Sequence, residues 1–188
     1  STRPSRSRSG CPNMIKRLMV IGLALLPALA FGASNVHLES SQINLNDKAS
    51  MQRGAALFMN YCAGCHSLGF QRYSRMAQDL GLTEEQVMAN LVFTDAKFGE
   101  PITASMTAEE GTKWFGKAPP DLSLVARNKL GGPDWTYTFL KSFYLDESRP
   151  SGWNNTILAG ASMPHVLWEL QGLQRPILGS DVAAPEAP

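Results

Sequence analysis

The chain has 188 residues, 44% of them hydrophobic, which is enough for one globular domain with additional terminal segments. Its net charge of +1 hides an asymmetry: five of the 17 basic residues precede residue 34, where no acidic residue occurs, so the remainder carries 12 basic against 16 acidic residues. This remainder lacks the basic excess of a nucleic acid-binding protein. It suits encounter with basic protein partners, and it equally fits ordinary solubility.

The first 33 residues predict export. Residues 1–13 are interpreted as an upstream extension and residues 14–33 as a signal peptide. Lys16 and Arg17 precede an apolar run that ends near a small-residue cleavage site. The run is about half as long as a membrane-spanning helix requires. We therefore expect the mature protein to begin near residue 34.

The exported part opens with a polar lead-in followed by a helix. Asp47 can cap a helix that runs to about Cys65. Phe58 and Tyr61 recur at helical spacing and are interpreted as core residues. We expect this helix to carry the most informative motif of the chain.

That motif is Cys62-Ala63-Gly64-Cys65-His66, a C-x-x-C-H sequence typical of covalent c-type haem attachment. Residues three apart share one side of a helix, so both thiols can bond the vinyl groups of one haem while His66 binds the iron. The alternatives are half of a zinc site and a redox-active thiol pair. Zinc needs a second pair of ligands, and Cys11, His37 and His165 have no paired spacing. A redox pair usually follows a strand, and no strand pattern precedes the motif.

Short helices are predicted downstream of the motif. Two capping boxes, beginning at Thr83 and Thr107, each start a helix, and two further helices follow prolines. The four predicted ranges are 84–93, 108–115, 122–129 and 135–144. No alternating strand pattern appears. We predict a mainly α domain of short helices and long loops around one covalent haem.

A second iron ligand must come from elsewhere, unless the position is open. Methionine opposite histidine gives an electron-transfer haem of raised potential, whereas an open position indicates gas binding or peroxide chemistry. Met163 is favoured because it lies in a loop and Pro164 restricts it to extended backbone. Met106 is second, and His165 is expected at the surface or beside the ligands. The other downstream methionines, expected to pack in helices, are Met76 and Met88.

These segments resemble the cytochrome c1 family, the haem-bearing subunits of ubiquinol–cytochrome c reductase, also called the bc1 complex. The P-P-D-L-S segment is more specific than C-x-x-C-H, which all c-type cytochromes share. The resemblance runs from about residue 36 to about residue 172. It is carried by residues 53–67, Tyr73-Ser74-Arg75, Pro119-Pro120-Asp121-Leu122-Ser123-Leu124-Val125-Ala126-Arg127 and Met163-Pro164.

The resemblance implies a c-type cytochrome-like domain and a set of haem-binding residues. Cys62 and Cys65 would carry the thioethers, and His66 and Met163 would bind the iron. Pro119 and Pro120 would line the haem edge, and Arg127 and Lys129 would meet the propionates. The family has arginine at the Lys129 position, and lysine loses its planar fork. Arg127 and Lys129 could equally be solvent-exposed helix charges.

The resemblance also implies a function and partners. The domain would accept electrons from a Rieske iron–sulfur protein and pass them to cytochrome c. It would lie beside cytochrome b at the periplasmic face of a bacterial inner membrane, without a bond-making catalytic site of its own. The alternatives are a soluble, diffusible c-type cytochrome, an open-site haem enzyme or sensor, and a non-haem metal module.

Family members continue into a helix that packs across the first one, and then into a membrane anchor. This chain ends at Pro188 with no apolar run of spanning length. We therefore expect residues 34–178 to be a cytochrome domain that is incomplete at its C-terminus, and residues 179–188 to be unstructured. The helix face bearing Gly54 and Phe58 is expected to be exposed.

Overall fold

The computed structural model describes residues 37–177; the predicted extension, signal peptide and C-terminal end lie outside the described residues. As predicted, this part is mainly α, with short helices and long connections, and it also contains two small sheets. Within it, no helix combines the length and the apolar character needed to cross a bilayer. The elements in chain order are α1 Lys48–Tyr61, β1 Leu68–Arg72, α2 Tyr73–Leu80, α3 Glu84–Asn90, β2 Pro101–Ile102, α4 Ala108–Phe115, α5 Val125–Asn128, α6 Gly132–Lys141, β3 Phe143–Leu145, β4 Trp153–Asn155 and α7 Trp168–Gln171.

Helix starts are confirmed where the capping chemistry is local. Asp47 caps α1 by accepting a backbone hydrogen bond. Thr83 and Thr107 each form the reciprocal capping box with the residue three positions on. Helix ends agree less well: α6 ends at Lys141 rather than near Tyr144, because the next residues pair as β3.

The sequence predicts neither sheet, and for helix α2 it predicts only that Met76 packs in a helix, without its bounds. Strand β1 pairs antiparallel with β2, and β3 pairs antiparallel with β4, where Phe143 lies opposite Asn155. The strands have two to five residues, too few to display an alternating pattern. Helix α2 begins after Arg72 without a side-chain cap, so its start carries no capping signal.

Two separate hydrophobic cores organise the described residues. The first core lies between α1, α2, α3 and β2, and the second lies under α6 and the β3–β4 pair. The buried residues of the first core are Met59, Ala63, Tyr73, Met76, Ala77, Leu80, Val87, Leu91 and Ile102. Those of the second core are Phe139, Phe143 and Ala161, with Trp135, Leu140, Trp153, Ile157 and Met163 packed against them.

The polar lead-in is tied to α6, and we call residues 38–41 the strap. The Glu39 backbone N–H donates to Thr138 Oγ1 at 2.9 Å. The backbone N–H and hydroxyl of Ser41 both donate to Asp134 Oδ1, at 2.8 and 2.6 Å. These hydrogen bonds from Ser41 lower the pKa of Asp134. The strap thereby connects the first described residues to α6, which covers the second core.

One face of α1 is open, as the sequence predicts for Gly54. That residue is exposed, and a Cβ placed there would meet no atom within 4 Å. Phe58, expected to be exposed as well, is instead half-buried because it packs against the first core. A shallow groove runs along the open face and is lined by Arg53, Ala56, Leu57, Asn60 and Tyr61.

Candidate haem site

The C-x-x-C-H motif continues the path of α1 although the regular helix ends at Tyr61, four residues before the predicted end. The Cys62 backbone N–H donates to Phe58 O at 2.8 Å, and the His66 backbone N–H donates to Cys62 O at 2.8 Å. This i to i−4 hydrogen bonding keeps residues three apart on one side of the turn. The two cysteine side chains therefore issue from neighbouring positions on the same turn.

Both motif cysteines are free thiols and partly buried. Burial raises the pKa of Cys62, and the neighbouring Cys65 adds to the shift; burial likewise raises the pKa of Cys65. Both sulfurs are consequently neutral at neutral pH, whereas zinc prefers thiolates. Within residues 37–177 no group of three or more His, Cys, Asp or Glu side chains could hold a metal ion, so a zinc site would lack its ligand set there.

The His66 imidazole is oriented by a backbone carbonyl. Its Nδ1 lies 2.7 Å from Pro120 O, and the residue is 9% exposed. A carbonyl oxygen can only accept, so Nδ1 carries a proton and Nε2 is the nitrogen that could coordinate a metal. A histidine that ligates a metal is commonly held in this way. The contact thus leaves His66 Nε2 as the ring nitrogen that is free of this hydrogen bond.

The P-P-D-L-S segment, residues 119–123, forms a brace beside the motif. Three further hydrogen bonds join the brace to residues 67–70: Leu122 N to Ser67 O at 2.9 Å, Gly69 N to Asp121 Oδ2 at 2.7 Å and Phe70 N to Ser123 Oγ at 3.1 Å. Hydrogen bonds from Ser123 and from the Gly69 backbone lower the pKa of Asp121. The brace holds the Pro120 carbonyl in place against His66.

Helix α4 supports the brace at Gly111. A Cβ on Gly111 would lie 2.4 Å from Pro119 Cδ and 3.4 Å from Met106 Sδ, so a larger residue would push the proline away. The Met106 backbone N–H also donates to Gly64 O at 3.0 Å. Gly111 is a close-packed position beside the site that the sequence did not reveal; its one signal is a glycine inside a predicted helix.

Met163 belongs to the second core, where it is half-buried. The loop before it is fixed at Gly160, whose N–H donates to Asn154 Oδ1 at 2.8 Å and whose carbonyl accepts from Arg149 Nη2 at 2.9 Å. Gly160 has φ of +76°, a conformation that favours glycine. Both backbone polar groups of one loop residue are therefore held by side chains, which orders the approach to Met163.

Asn155 is the buried polar centre of the same region, with 1% exposure. Its Nδ2 donates to Phe139 O at 2.8 Å, and its Oδ1 accepts from the N–H groups of Ile157 and Leu158 at 2.9 and 3.1 Å. One side chain thus connects α6, β4 and the loop leading to Met163. Sequence reasoning missed Asn155, because an asparagine in a loop-like stretch usually signals only a turn.

His165 is buried, with 2% exposure, and not at the surface. It belongs to a series of five aromatic rings in which each contacts the next, with centroids 5.0–5.2 Å apart. Burial lowers the pKa of His165, so the ring is uncharged at neutral pH. The series runs Trp135, Phe139, Phe143, His165 and Trp153.

The two basic residues expected near the propionates are both exposed. Arg127 lies in the last turn of α5. The Lys129 ammonium lies over the Trp135 ring, 4.3 Å from its centroid. The structure therefore brings the motif together with Pro119 and Pro120, places Met163 in the second core, and leaves Arg127 and Lys129 at the surface.

The donor set fits a single covalent haem. The thiols of Cys62 and Cys65 project from one turn, and the adjacent His66 imidazole has Nε2 available. The Met163 thioether lies in an apolar core. Thiols at this spacing match the two vinyl groups of one haem, and the adjacent imidazole supplies a nitrogen that could bind its iron.

Comparison with known proteins adds relatives to this geometry. The model of the Cytochrome C1 family matches residues 39–113. The chain is 52% identical over 166 residues to a protein named cytochrome c1 from Allochromatium vinosum, covering 88% of this chain and 67% of that protein. It is 44% identical over 162 residues to a protein named ammonia monooxygenase gamma subunit from Nitrosomonas europaea, covering 86% and 68%. It is 32% identical over 146 residues to cytochrome c1 from Blastochloris viridis, covering 62% and 52%.

Proposed function

This chain belongs to the cytochrome c1 family, the haem-bearing electron-transfer subunits of the bc1 complex, and from that premise we propose that its domain relays single electrons from a Rieske iron–sulfur protein to a c-type cytochrome. The cofactor is covalently bound haem c, which supplies a one-electron Fe(II)/Fe(III) couple. The chain's own task is to anchor the group, bind iron from both sides and exclude water. It needs no general acid, base or nucleophile.

The observation that carries the proposal is the hydrogen bond between His66 Nδ1 and Pro120 O. This bond favours the tautomer in which Nε2 would bind iron, and it would raise the basicity of that nitrogen. Cys62 and Cys65, on the same turn, would form the thioether bonds that keep the group beside His66. Covalent anchorage and ligation would then come from one short segment.

Met163 is proposed as the ligand on the opposite side of the iron. A thioether is soft and uncharged, so it stabilises Fe(II) over Fe(III) and raises the reduction potential. Its membership of the second core gives the sulfur an apolar setting. Met106 is the weaker candidate, because its backbone N–H donates to Gly64 O and its sulfur packs beside Gly111, next to Pro119.

The remaining haem contacts are proposed from the brace and α5. Pro119 and Pro120 would line the haem edge, where their rings exclude water. Arg127 could reach a propionate from the surface of α5. Lys129 would first have to leave the Trp135 ring, so Arg127 is the stronger candidate for that contact.

The proposed partners and location follow from the family and the charge pattern. The domain would act beside cytochrome b at the periplasmic face of an inner membrane, which agrees with the predicted signal peptide. From residue 34 onward the chain has 12 basic and 16 acidic residues. We expect attraction to a basic redox partner that weakens as salt is added.

The first test compares Met163→Ala with Met106→Ala in full-length protein exported together with a haem-attachment system. Denatured parent protein should retain its haem absorbance through the thioether bonds. Met163→Ala should lose the weak thioether-to-ferric-iron charge-transfer absorption, lower the reduction potential and bind carbon monoxide when reduced. Met106→Ala should change none of these. An unchanged spectrum and potential in Met163→Ala would refute the proposed ligation, and ready carbon monoxide binding by the parent would favour the open-site alternative.

The second test measures electron transfer directly. Reduced parent protein is mixed rapidly with ferric basic cytochrome c, and oxidised parent protein with a reduced soluble Rieske domain, at increasing ionic strength. Both reactions should be fast, and the first should slow as salt rises. If neither partner reacts while the haem is six-coordinate, the relay function is wrong although the haem site is right.

A further inference from the structure

The segment that follows Met163 is fixed to the second core by one aromatic side chain. The His165 ring stacks on Phe143 with centroids 5.2 Å apart and planes 10° apart. It meets Trp153 edge to face, with centroids 5.1 Å apart and planes 77° apart. With 2% exposure, the ring is enclosed by these contacts.

The same strand pair holds the chain on the other side of Met163. Asn154 on β4 accepts from the Gly160 N–H, three residues before Met163. Phe143 on β3 and Trp153 on β4 contact His165, two residues after it. Pro164 stiffens the single residue between Met163 and His165. Met163 is thus suspended between two attachment points on the β3–β4 pair.

The ring of His165, and not its polar nitrogen, makes the attachment. Nε2 is buried and finds no hydrogen-bond partner among residues 37–177. Stacking and edge-to-face contacts are available to any aromatic ring of similar size. A phenyl ring would keep both contacts and remove the buried polar atom.

From these contacts we propose that His165 is the positioning residue for Met163: its ring, held between Phe143 and Trp153, keeps the thioether directed at the iron. This inference rests on the proposed ligation by Met163. Losing both ring contacts would free the loop end, so a larger fraction of molecules would have Met163 detached.

The test uses full-length holoprotein with four variants beside the parent: His165→Ala, His165→Leu, His165→Phe and Val87→Ala. Val87 is fully buried in the first core and serves as the control for a loss of stability alone. His165→Leu fills the volume without an aromatic ring, and it keeps the test available should His165→Ala not fold. The readouts are the thioether charge-transfer absorption, the reduction potential, carbon monoxide affinity of the reduced protein and the denaturation midpoint.

We expect His165→Ala and His165→Leu to weaken the charge-transfer absorption, lower the potential and raise carbon monoxide affinity about tenfold, since apparent affinity follows the fraction with Met163 detached. His165→Phe should restore parental values. Val87→Ala should lower the denaturation midpoint without moving the other readouts. The inference is overturned if the two non-aromatic variants behave like Val87→Ala, or if His165→Phe fails to restore the parental spectrum. If Met163→Ala itself leaves the spectrum unchanged, the proposed ligation is what fails.

Discussion

The two sides of the proposed haem site are built in different ways. On the His66 side, backbone groups do much of the holding: the Pro120 carbonyl orients the imidazole, and each brace hydrogen bond has a main-chain donor, with the Asp121 and Ser123 side chains as two of the acceptors. On the Met163 side, side chains do it, through a buried amide and a series of stacked rings. A backbone scaffold tolerates most substitutions, whereas a side-chain scaffold depends on individual residues. Single substitutions should therefore disturb the Met163 side more than the His66 side.

Asn155→Ala should give the largest effect and tests this asymmetry directly. It removes three hydrogen bonds, leaves two loop N–H groups without an acceptor and leaves the Phe139 carbonyl with only the Ser142 N–H, at a cost of about 3 kcal/mol. Chemical denaturation of the holoprotein measures the loss, and the thioether charge-transfer absorption reports on Met163. Asn90→Ala is the control, because that exposed amide bonds only within its own helix. Equal losses of stability in Asn155→Ala and Asn90→Ala would contradict the greater sensitivity expected on the Met163 side.

Gly111→Ala should be an exception to the tolerance expected on the His66 side, because it displaces the backbone of the brace rather than a single side chain. The new Cβ would lie 2.4 Å from Pro119 Cδ, and relieving this overlap should cost about 2 kcal/mol. The displaced brace should also weaken the His66 hydrogen bond and shift the reduction potential. Gly54→Ala, in an open position of α1, should instead raise stability slightly. A Gly111→Ala protein with parental stability and potential would show that the brace can shift freely.

Thr107→Ala should lower stability by less, and it tests whether α4 supports the brace. Removing the capping box leaves the first N–H groups of the helix without a side-chain acceptor, at a cost of about 1 kcal/mol. Because α4 carries Gly111 against the brace, the denaturation midpoint should fall while the charge-transfer absorption of the Met163 side persists. Thr112→Ala in the same helix is the control and should be nearly neutral, since its hydroxyl only bonds within the helix. A loss of the charge-transfer absorption in Thr107→Ala would mean that the two sides are not independent.

Asp121→Asn should produce the smallest effect, visible only as a pH dependence. The pKa of Asp121 is lowered in the folded state, so its contribution to stability is present above the unfolded pKa and is lost as pH falls through the lowered folded value. Denaturation midpoints of the parent should therefore decline in acid more than those of Asp121→Asn. The contribution is small because the side chain is exposed. Asp95→Asn, at another exposed carboxylate, is the control and should keep the parental acid dependence. If Asp121→Asn also kept it, the Asp121 carboxylate would not stabilise the brace.

Local chemistry explains what could be predicted from the sequence. Asp47, Thr83 and Thr107 cap helices through residues three positions away, so a short window contains the whole interaction. The haem-attachment motif is likewise contained in five residues. The importance of Pro119 and Pro120 came from family resemblance, and the structure adds a physical reason: a carbonyl directed at His66.

Contacts between distant residues explain what could not be predicted. Asn155 acts on Phe139, 16 positions away, and His165 stacks on a strand of three residues that has no readable pattern. The close approach at Gly111 depends on where α4 meets the brace, which no window of sequence specifies. The buried ring of His165 resembles a surface histidine until Phe143 and Trp153 are placed beside it.

The strap has a consequence for the order in which the molecule can assemble. Glu39 bonds Thr138, 99 positions later, whereas the turn bearing Cys62 and Cys65 is closed by contacts within a few residues of itself. Short-range contacts form quickly, and long loops close slowly. During synthesis from the N-terminus, the turn with its two thiols would thus form before Thr138, the partner of the strap, has been added to the chain. Covalent modification could then precede closure, and the strap would fasten the second core last.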